Sequence, residues 1–361
     1  MGEFYMRFKK ISSGIIVGGL AAFASFGIAE AATHVQKSNA IHQYSSASLR
    51  TVNNSKVKFV KANGNYAWSK NPTGSETISS ASGTKWSLKT KYLLPTTHAA
   101  KGNGKYDVTN PQSAATNGKY LFVAYAPHQL NGMGFVVRYD RAKLASMGFA
   151  KAQSGLDTKT PAPGIKVGPM FKVGHGQSLA YDKKHHSLWM WKDSTSMKPT
   201  KWSTIQRISA TSLKPNKAIK FHMSNHGANV PAGHNLTFDT TGHAYWWGIS
   251  GGKVKIYKAT ISGNHISVTL TKQLLAHQTG THQQSMGYNP KNGRLYLVSD
   301  DSIASLPAKR LNGRGSLTNG SFKYTRFKSG REFESLFYDG SGHGMLLSNR
   351  NPEVLMSTSR Y

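Results

Sequence analysis

The predicted fold rests on the stretch His175-Gly176-Gln177-Ser178-Leu179-Ala180-Tyr181-Asp182, which is followed by Lys183–Trp191. Its first half reads as a short strand that starts polar and ends on an aromatic residue. An Asp-Lys-Lys turn comes next, and the apolar segment Ser187–Trp191 then reads as a second strand. This order of signals is typical of two antiparallel strands joined by a short turn.

The same pattern occurs five times along the chain. An aromatic residue or Thr precedes Asp or Asn each time, and an apolar strand begins a few residues later. The other four copies are Gln112–Asn117, His234–Asp239, Gln284–Asn289 and Glu334–Asp339. The turn residues recur every 50 to 65 positions, and a period of that size with several short strands per unit indicates propeller blades. The sequence therefore predicts an all-β, five-bladed β-propeller.

One strand candidate, Trp86–Leu94, lies before the first repeated unit and ends at Pro95. The last repeat leaves room for only two further strands, Met345–Ser348 and Val354–Ser357, so its blade lacks a fourth. Closed propellers avoid a free sheet edge. We therefore expect Trp86–Leu94 to complete the last blade.

Residues 1–31 have the features of a secretory signal peptide. A basic start containing Arg7, Lys9 and Lys10 precedes the uncharged apolar run Ile11–Ile28, and Ala29-Glu30-Ala31 supplies the small residues of a cleavage site. Met6 is an alternative start, which would make Met1–Tyr5 an extension. A retained membrane anchor is the competing interpretation, but the Gly and Ser content of the run and the A-x-A site favour secretion. No later run is long and apolar enough to span a membrane. We expect an exported protein that is extracellular or associated with a cell wall.

Residues 32–83 are rich in Ser, Asn and Lys and show no periodicity. This composition predicts a flexible basic tail or linker, or a spacer that holds the domain away from a surface. A short alternation at Val57–Val60, with Tyr66 and Trp68, leaves open a small hairpin or a segment ordered by a partner. The propeller domain is predicted to span residues 84–361.

The composition of the chain indicates what kind of partner it binds rather than what reaction it catalyses. The 361-residue chain has no cysteine and a formal net charge of +31, which excludes disulfides and favours polyanionic partners over self-association. Outside a cell such partners are anionic wall polymers, namely teichoic acids and polysaccharides, or surface glycans. No nucleic-acid recognition motif is present, so we predict no specific nucleic-acid partner. We expect a monomer without a cofactor.

The first strand of each blade lines the channel of a propeller, so its repeated polar positions are candidate ligand contacts. Positions five and seven before the turn residue share one strand face because strand side chains alternate. These positions supply the predicted channel-lining site, which comprises Gln112, His175, Gln177, His234, His282, Gln284, Glu332 and Glu334. A purely structural role, with these side chains bonding neighbouring blades, is the alternative.

Catalysis is less favoured than binding. Glycoside cleavage usually requires two carboxylates, and the repeated channel positions offer only Glu332 and Glu334 from one blade. Asp182, Asp239 and Asp339 are expected to form turns, whereas Asp193 and Asp300-Asp301 follow second strands and remain candidates. We assign no catalytic residue. The histidines without cysteines or clustered carboxylates do not establish a metal site.

Four tryptophans lie on predicted second strands. We expect their rings mainly to fill the core between blades, although an exposed ring beside basic residues would suit a sugar or a polyanion. These residues are Trp189, Trp191, Trp246 and Trp247.

Over roughly residues 85–361 the order of these signatures resembles the helveticin J family, the large heat-labile bacteriocins of lactobacilli and their surface-associated relatives. The similar segments are Arg331-Glu332-Phe333-Glu334-Ser335-Leu336, Gln112-Ser113-Ala114-Ala115, Gly242–Trp247 and Gly293–Val298. The resemblance implies a non-enzymatic bacteriocin that acts on related bacteria. An envelope-bound carbohydrate-binding or adhesion protein without killing activity, and a wall-polysaccharide hydrolase, are the alternatives. The signal peptide and the high positive charge depart from helveticin J itself.

Overall fold

Five small sheets stand in a ring in the computed structural model, and the first strand of each sheet contacts the first strands of its neighbours around a central axis. This arrangement is the predicted five-bladed β-propeller. The structure describes residues 28–61, 74–94, 110–127, 131–148, 161–192, 201–349 and 353–360. Asp193, Tyr66 and Trp68 lie outside these ranges.

Blades 1 to 3 follow one another in the sequence, and each runs outward from the axis. Blade 1 consists of Pro111–Thr116, Tyr120–Tyr125, Met133–Asp140 and an outer strand split into Ile165–Val167 and Phe171–Lys172. Blade 2 consists of Ala180–Asp182, Ser187–Trp191, Ser203–Ile208 and Pro215–His222. Blade 3 consists of Thr237–Phe238, Ala244–Ser250, Lys253–Ser262, and the outer strands His265–Leu270 and Gln273–Leu275.

Blade 5 contains the predicted closure of the ring. Blade 4 consists of Met286–Asn289, Arg294–Ser299, Ser302–Pro307 and Lys323–Arg326. Blade 5 consists of Glu332–Tyr338, Gly344–Asn349, Glu353–Ser357 and the N-terminal strand Ser87–Leu93, with Thr77–Ser79 outside it. Ser87–Leu93 pairs antiparallel with Glu353–Ser357, so the prediction that Trp86–Leu94 completes the last blade is confirmed.

The repeated Asp and Asn residues close the turn after each first strand. Asp182 Oδ1 accepts hydrogen bonds from the backbone N–H groups of Lys184 and His185, at 3.0 and 3.3 Å. Asp239 and Asp339 accept from backbone N–H groups in the same way. Their role as turn formers, which follows from the ability of short acidic side chains to bond their own backbone, is confirmed.

The basic segment before the propeller is not a flexible tail where the structure describes it. Residues 33–61, which we call the N-terminal strap, run along the outer edges of the blades. Thr33–Asn39 pairs in parallel with the outer strand of blade 2, and Arg50–Val52 pairs in parallel with Gln273–Leu275 of blade 3. Ser82–Gly83 pairs antiparallel with the outer strand of blade 4. The prediction of a mobile linker over residues 32–83 is therefore wrong for these parts of the chain.

Apolar side chains of the strap explain why it is ordered. Ile41, Val52, Val57 and Val60 are 2 to 4 % exposed and pack into the cores between blades 2, 3 and 4. Their burial, together with backbone pairing to the outer strands, compensates the entropy cost of ordering the segment. The Val57–Val60 alternation thus marks core contacts with the propeller rather than a separate hairpin.

The tryptophans on the second strands fill the spaces between blades, as expected. Trp189 is 6 % exposed and Trp191, Trp246 and Trp247 are each 1 % exposed. The indole N–H of Trp191 donates to the carbonyl of Asn235 in blade 3 at 3.1 Å. The indole N–H of Trp247 likewise donates to the carbonyl of Ser285 in blade 4 at 3.2 Å. These rings hold neighbouring blades together and are not available as exposed platforms for a sugar.

Helical structure is confined to short segments in the described ranges. The helix Arg141–Ser146 is capped by Asp140, whose carboxylate accepts from the backbone N–H groups of Ala142 and Lys143. Three single-turn 3-10 helices are Ser46–Ser48, Ala308–Leu311 and Asn319–Ser321, and a two-stranded hairpin joins Ser224–Asn225 to Ala228–Asn229. None of the helices described has the length and apolar character needed to cross a membrane.

Candidate ligand site at the channel mouth

Three side chains from different blades meet at the end of the channel where the first strands begin. Gln112 of blade 1 donates from Nε2 to Glu334 Oε1 at 3.3 Å. Gln177, which leads into blade 2, donates from Nε2 to Glu334 Oε2 at 2.8 Å. Glu334 is only 2 % exposed, and both glutamines are 5 % exposed. Two residues of the column five before each turn therefore converge on the buried carboxyl group of a third.

The network continues toward blade 4 and ends on a second carboxylate. Gln177 Nε2 also donates to Gln284 Oε1, and Gln284 Nε2 donates to Asp300 Oδ1 at 3.2 Å. Asp300 is 1 % exposed and accepts a further hydrogen bond from the backbone N–H of Phe333 at 3.0 Å. Asp300 therefore links the first strands of blades 4 and 5.

Two asparagines complete the network between blades 5 and 1. Asn349 Nδ2 donates to Asn110 Oδ1 at 2.7 Å, and Gln112 Nε2 donates to the same oxygen at 3.2 Å. Asn110 in turn donates from Nδ2 to the carbonyl of Ala126 at 2.7 Å. The interior of the mouth is thus a connected polar layer, as buried polar groups require.

The predicted histidines divide into two groups. The rings of His175 and His234 lie edge to face with their centroids 4.7 Å apart. His282 precedes the first strand of blade 4, where its Nδ1 lies 2.8 Å from Asp300 Oδ2 and its side chain is 49 % exposed. No cluster of three or more metal-ligating side chains with suitable geometry occurs among the described residues.

Two side chains at the mouth, Glu334 and His282, have a raised pKa. Burial raises the pKa of Glu334 well above its usual value, and the nearby Glu332 and Asp300 raise it further, while hydrogen bonds from Gln177 and Asn349 oppose the shift. The hydrogen bond that His282 donates to Asp300 raises the pKa of His282, and the negative charge of Glu332 adds to the effect. The mouth therefore favours a protonated Glu334 within the layer and a protonated His282 at its exposed edge.

The eight predicted residues are close to one another but differ in accessibility. Gln112, Gln177, Gln284 and Glu334 form the buried layer. Glu332, His175 and His234 are partly exposed, and His282 is exposed. A ligand at this mouth would contact the last four, and the buried layer would position them. Together they offer charged and neutral hydrogen-bonding groups suited to a hydroxylated ligand.

Sequence reasoning missed two members of this network, Asn110 and Asn349, and kept Asp300 as a catalytic candidate without placing it in the channel-lining site. Asn349 and Asp300 lie at or just after the ends of second strands, a position that the repeat in the first strands does not reveal. Asn110 lies seven positions before the turn residue Asn117, in the same repeated column as His175 and His282. The sequence did contain a signal for Asp300 and Asn349, because polar residues end or directly follow the apolar second strands of blades 4 and 5.

A second repeated column, four before each turn residue, is structural. Ser113 Oγ accepts from the backbone N–H of Leu179 in blade 2 at 3.0 Å, and Ser285 Oγ accepts from that of Leu336 in blade 5 at 2.9 Å. Ser335 Oγ donates to the carbonyl of Ala114 at 3.3 Å, which connects blade 5 to blade 1. These serines join neighbouring first strands, which explains their recurrence without a ligand.

The other end of the channel contains a cavity of about 210 Å³. Leu179, Leu236, Met286 and Leu336 contribute apolar walls, and residues of the turns that follow the first strands form the rim. The two ends of the channel therefore differ in chemistry, since only the end with Glu332 and His282 offers the predicted polar site.

Replacing Glu334 by Gln should increase the free energy of unfolding at neutral pH by about 1–3 kcal/mol, the usual desolvation cost of a buried polar group. The pKa of Glu334 is raised in the folded state. The contribution of protonated Glu334 to the stability of the parent protein is therefore present at acidic pH and is lost as the pH rises through the folded-state pKa. The difference between variant and parent should shrink as the pH falls, which denaturant unfolding from pH 4 to 8 will measure.

Glu332→Gln is the matched control, because it removes the same charge from a partly exposed position on the same strand. It should change stability less. If Glu334→Gln were less stable than the parent at every pH, the donors Gln112 and Gln177 would require a carboxylate, and the proposed protonation of Glu334 would be wrong.

Comparison with solved structures identifies proteins of similar fold at very low identity. A glucose dehydrogenase is 12% identical over 66% of this chain and 78% of its own, with a TM-score of 0.32. A protein from Lactobacillus plantarum is 11% identical over 76% and 75%, with a TM-score of 0.32. A protein of unknown function from Bacteroides thetaiotaomicron is 11% identical over 83% and 75%, with a TM-score of 0.40.

These similarities concern the fold alone and carry no information about activity. No protein-family model matches the chain. No curated protein matches it either.

Proposed function

We propose that this protein is an exported, cationic binding protein that attaches to anionic polymers of a bacterial cell envelope and acts there as a non-enzymatic, helveticin-like bacteriocin. The envelope-binding part follows from charge and its placement on the propeller. The killing activity follows from the resemblance of the sequence to the helveticin J family.

The observation that carries envelope binding is the unequal exposure of acidic and basic side chains. Of the acidic residues in the described ranges, only Glu30 and Glu76 are exposed. Glu30 precedes the predicted cleavage site, and Glu76 forms an ion pair with Arg331. Most described lysines and arginines are exposed on all five blades and the strap. The solvent therefore meets a nearly uncompensated positive surface, which attracts polyanions.

The remaining acids serve the fold or the channel mouth. Asp182 and Asp239 close turns, whereas Asp300 and Glu334 belong to the buried layer. Glu353 is fully buried against Arg331. Because these carboxyl groups have structural partners, they do not offset the positive charge of the outer surface.

Binding of the mature protein to isolated cell walls should weaken at least about tenfold between 0.1 and 0.5 M NaCl, because the screening length falls from about 10 Å at 0.1 M to a few ångströms. Sedimentation of labelled protein with walls measures this. Walls from which teichoic acid has been extracted are the control, and they should retain much less protein. Binding that is insensitive to both salt and extraction would contradict the proposal.

Killing is tested separately from binding. The purified protein is incubated with live lactobacilli and with isolated walls, and viability and released sugar are scored together. Loss of viability without released sugar supports the bacteriocin. Binding without loss of viability would instead favour an adhesion or carbohydrate-binding protein of the envelope.

A wall-polysaccharide hydrolase is the second candidate, because Asp300 lies in the same network as Glu334 and near Glu332. Glycoside cleavage usually uses two carboxyl groups that flank the scissile bond. The low exposure of Glu334 and Asp300, 2 and 1 %, makes their contact with a polymer difficult and ranks this candidate second. Released sugar that disappears in both Glu334→Gln and Asp300→Asn would favour it over the bacteriocin.

A further inference from the structure

A groove of about 530 Å³ lies on the outer part of the ring, where blade 3 faces blade 4. Its floor is formed by Lys253–Ser262 and His265–Leu270 of blade 3, and its other wall is the loop Leu311–Arg314 of blade 4. The volume is within the range of about 300–1,000 Å³ that is typical of small-ligand sites. The groove is separate from both ends of the channel.

The lining combines cationic groups with hydroxyl groups. Lys258, Lys272 and Arg314 supply positive charge, and none of them forms an ion pair with a carboxylate of the described residues. Strand pairing aligns Lys258 with Thr269 and Thr260 with Ser267, so the hydroxyl groups lie in rows beside the cations. Lys258 Nζ also lies over the ring of Tyr245, 5.8 Å from its centroid. Cations that have no carboxylate partner among the described residues and lie next to hydroxyl donors favour an anionic, hydroxylated ligand.

One hydroxyl group in the groove is buried and has no hydrogen-bond partner among the described residues. Thr271 lines the groove and is 5 % exposed, and its Oγ1 makes no hydrogen bond to any described group. A buried hydroxyl without a partner is unfavourable. A ligand oxygen in the groove would supply the missing partner.

The wall of the groove is held in place from beneath. Gln273 is fully buried, and its Nε2 donates to the carbonyl of Arg310 at 2.8 Å while its Oε1 accepts from the backbone N–H of Leu317 at 2.9 Å. Arg50 of the N-terminal strap donates to the same Oε1 at 2.7 Å. The loop that carries Arg314 is therefore fixed between blade 3 and the strap.

The acidic residue Asp239, which contacts the edge of the groove, is engaged in other interactions. His243 lies at the edge of the groove, and its Nδ1 is 3.3 Å from Asp239 Oδ2. Tyr245 O–H donates to the same oxygen at 3.1 Å. Hydrogen bonds from Thr241 and His243 outweigh burial and lower the pKa of Asp239. Its negative charge is thus directed to the turn of blade 3, and the lining of the groove itself contains no carboxylate.

We infer that this groove binds the polyol-phosphate backbone of teichoic acid. Arg314 presents the planar donor fork that fits phosphate oxygens, and Lys258 and Lys272 add point charges. The row of Ser and Thr hydroxyls pairs with the polyol, and Thr271 Oγ1 bonds a ligand oxygen. This inference rests on the proposed envelope binding and gives that binding a specific site.

The test measures the affinity of soluble poly(glycerol phosphate) for three proteins at 0.15 M NaCl by calorimetry. The groove variant carries Lys258→Gln, Lys272→Gln and Arg314→Gln. The matched control loses the same charge through Lys119→Gln, Lys166→Gln and Lys172→Gln, all on exposed positions of blade 1. We expect at least about a 100-fold loss in the groove variant, because direct charged hydrogen bonds are removed. The control should lose less than about threefold, because distant charges are screened.

The variant Thr271→Val is an independent test of the groove. If the hydroxyl of Thr271 had only a structural role, its removal would not change the affinity for poly(glycerol phosphate). Val keeps the shape of Thr but removes the unpaired hydroxyl, so the melting temperature should stay the same or rise. Affinity for poly(glycerol phosphate) should nevertheless fall about tenfold, the usual effect of losing a hydrogen bond to a charged group.

The outcomes separate the inference from the function on which it rests. If the parent protein binds neither walls nor poly(glycerol phosphate), the proposed function itself fails. If the parent binds and the groove and control variants lose affinity equally, only the groove assignment is wrong. A single-stranded oligonucleotide or polygalacturonate that binds as tightly, with the same dependence on the groove, would overturn the assignment to polyol phosphate.

Discussion

A protein that begins at residue 62 instead of residue 32 should not form a stable propeller. The N-terminal strap buries Ile41, Val52, Val57 and Val60, and each aliphatic side chain contributes roughly 1.5–3 kcal/mol on burial. Their loss removes about 6–12 kcal/mol, while a whole domain has a stability of only about 5–15 kcal/mol. We expect the shortened protein to aggregate or to unfold at a much lower temperature, as measured by calorimetry and size-exclusion chromatography.

Two point variants on the strap test whether its buried side chains stabilise the propeller without removal of the whole segment. Ile41 is 2 % exposed and Val35 is 47 % exposed. Ile41→Ala should cost about 2–5 kcal/mol of unfolding free energy, whereas Val35→Ala should change it by less than about 0.5 kcal/mol. Equal effects of the two variants, or a shortened protein as stable as the longer one, would restore the view of this segment as a passive tail.

The strap shows why part of the fold could not be predicted. Its strands are short, and Thr33–Asn39 contains just one buried residue, Gln36. A strand that pairs in parallel with the outside of a finished blade needs no alternation of its own, so its sequence resembles a linker. The blades were predictable because each repeats a turn and an apolar second strand in the same order. The closure by Ser87–Leu93 was predictable because the last blade lacked a strand.

The channel mouth was predictable to the extent that it comes from the repeat. Gln112, Gln177, Gln284 and Glu334 occupy the same position in four blades, and strand alternation places them on the same face. Asp300 joins them only because the second strand of blade 4 ends beside the first strand of blade 5, a contact that no spacing in the sequence reveals. The groove between blades 3 and 4 was missed for a related reason, since its two walls are about 50 residues apart along the chain.

The strand that closes the ring is also held by a buried ion pair. Arg331, 7 % exposed, contacts the fully buried carboxylate of Glu353 and the carboxylate of Glu76. Thr90 Oγ1, on the closing strand, donates to Glu353 Oε2 at 2.7 Å. The pair therefore joins blade 5 to the N-terminal segment that completes it, on the outer side of the channel-mouth strand Glu332–Tyr338.

Arg331→Met should destabilise the protein by about 3–5 kcal/mol, because it leaves the charge of Glu353 buried without its partner. Burial already raises the pKa of Glu353, and Arg331 is the main influence that lowers it. Without Arg331 that pKa should rise further. The stability of the variant is then greatest at acidic pH and is lost as the pH rises through the folded-state value. Urea unfolding at pH 5 and pH 8 will measure the difference.

Two further variants test whether the loss of stability comes from the ion pair between Arg331 and Glu353. Arg326→Met removes an exposed arginine of blade 4 and should change stability by less than about 0.5 kcal/mol. The double variant Arg331→Met with Glu353→Leu should recover much of the loss, since replacing both members of a buried ion pair by apolar residues is often neutral or stabilising. A double variant no more stable than Arg331→Met alone would mean that the arginine stabilises the closure through packing, and the pH dependence should then be absent as well.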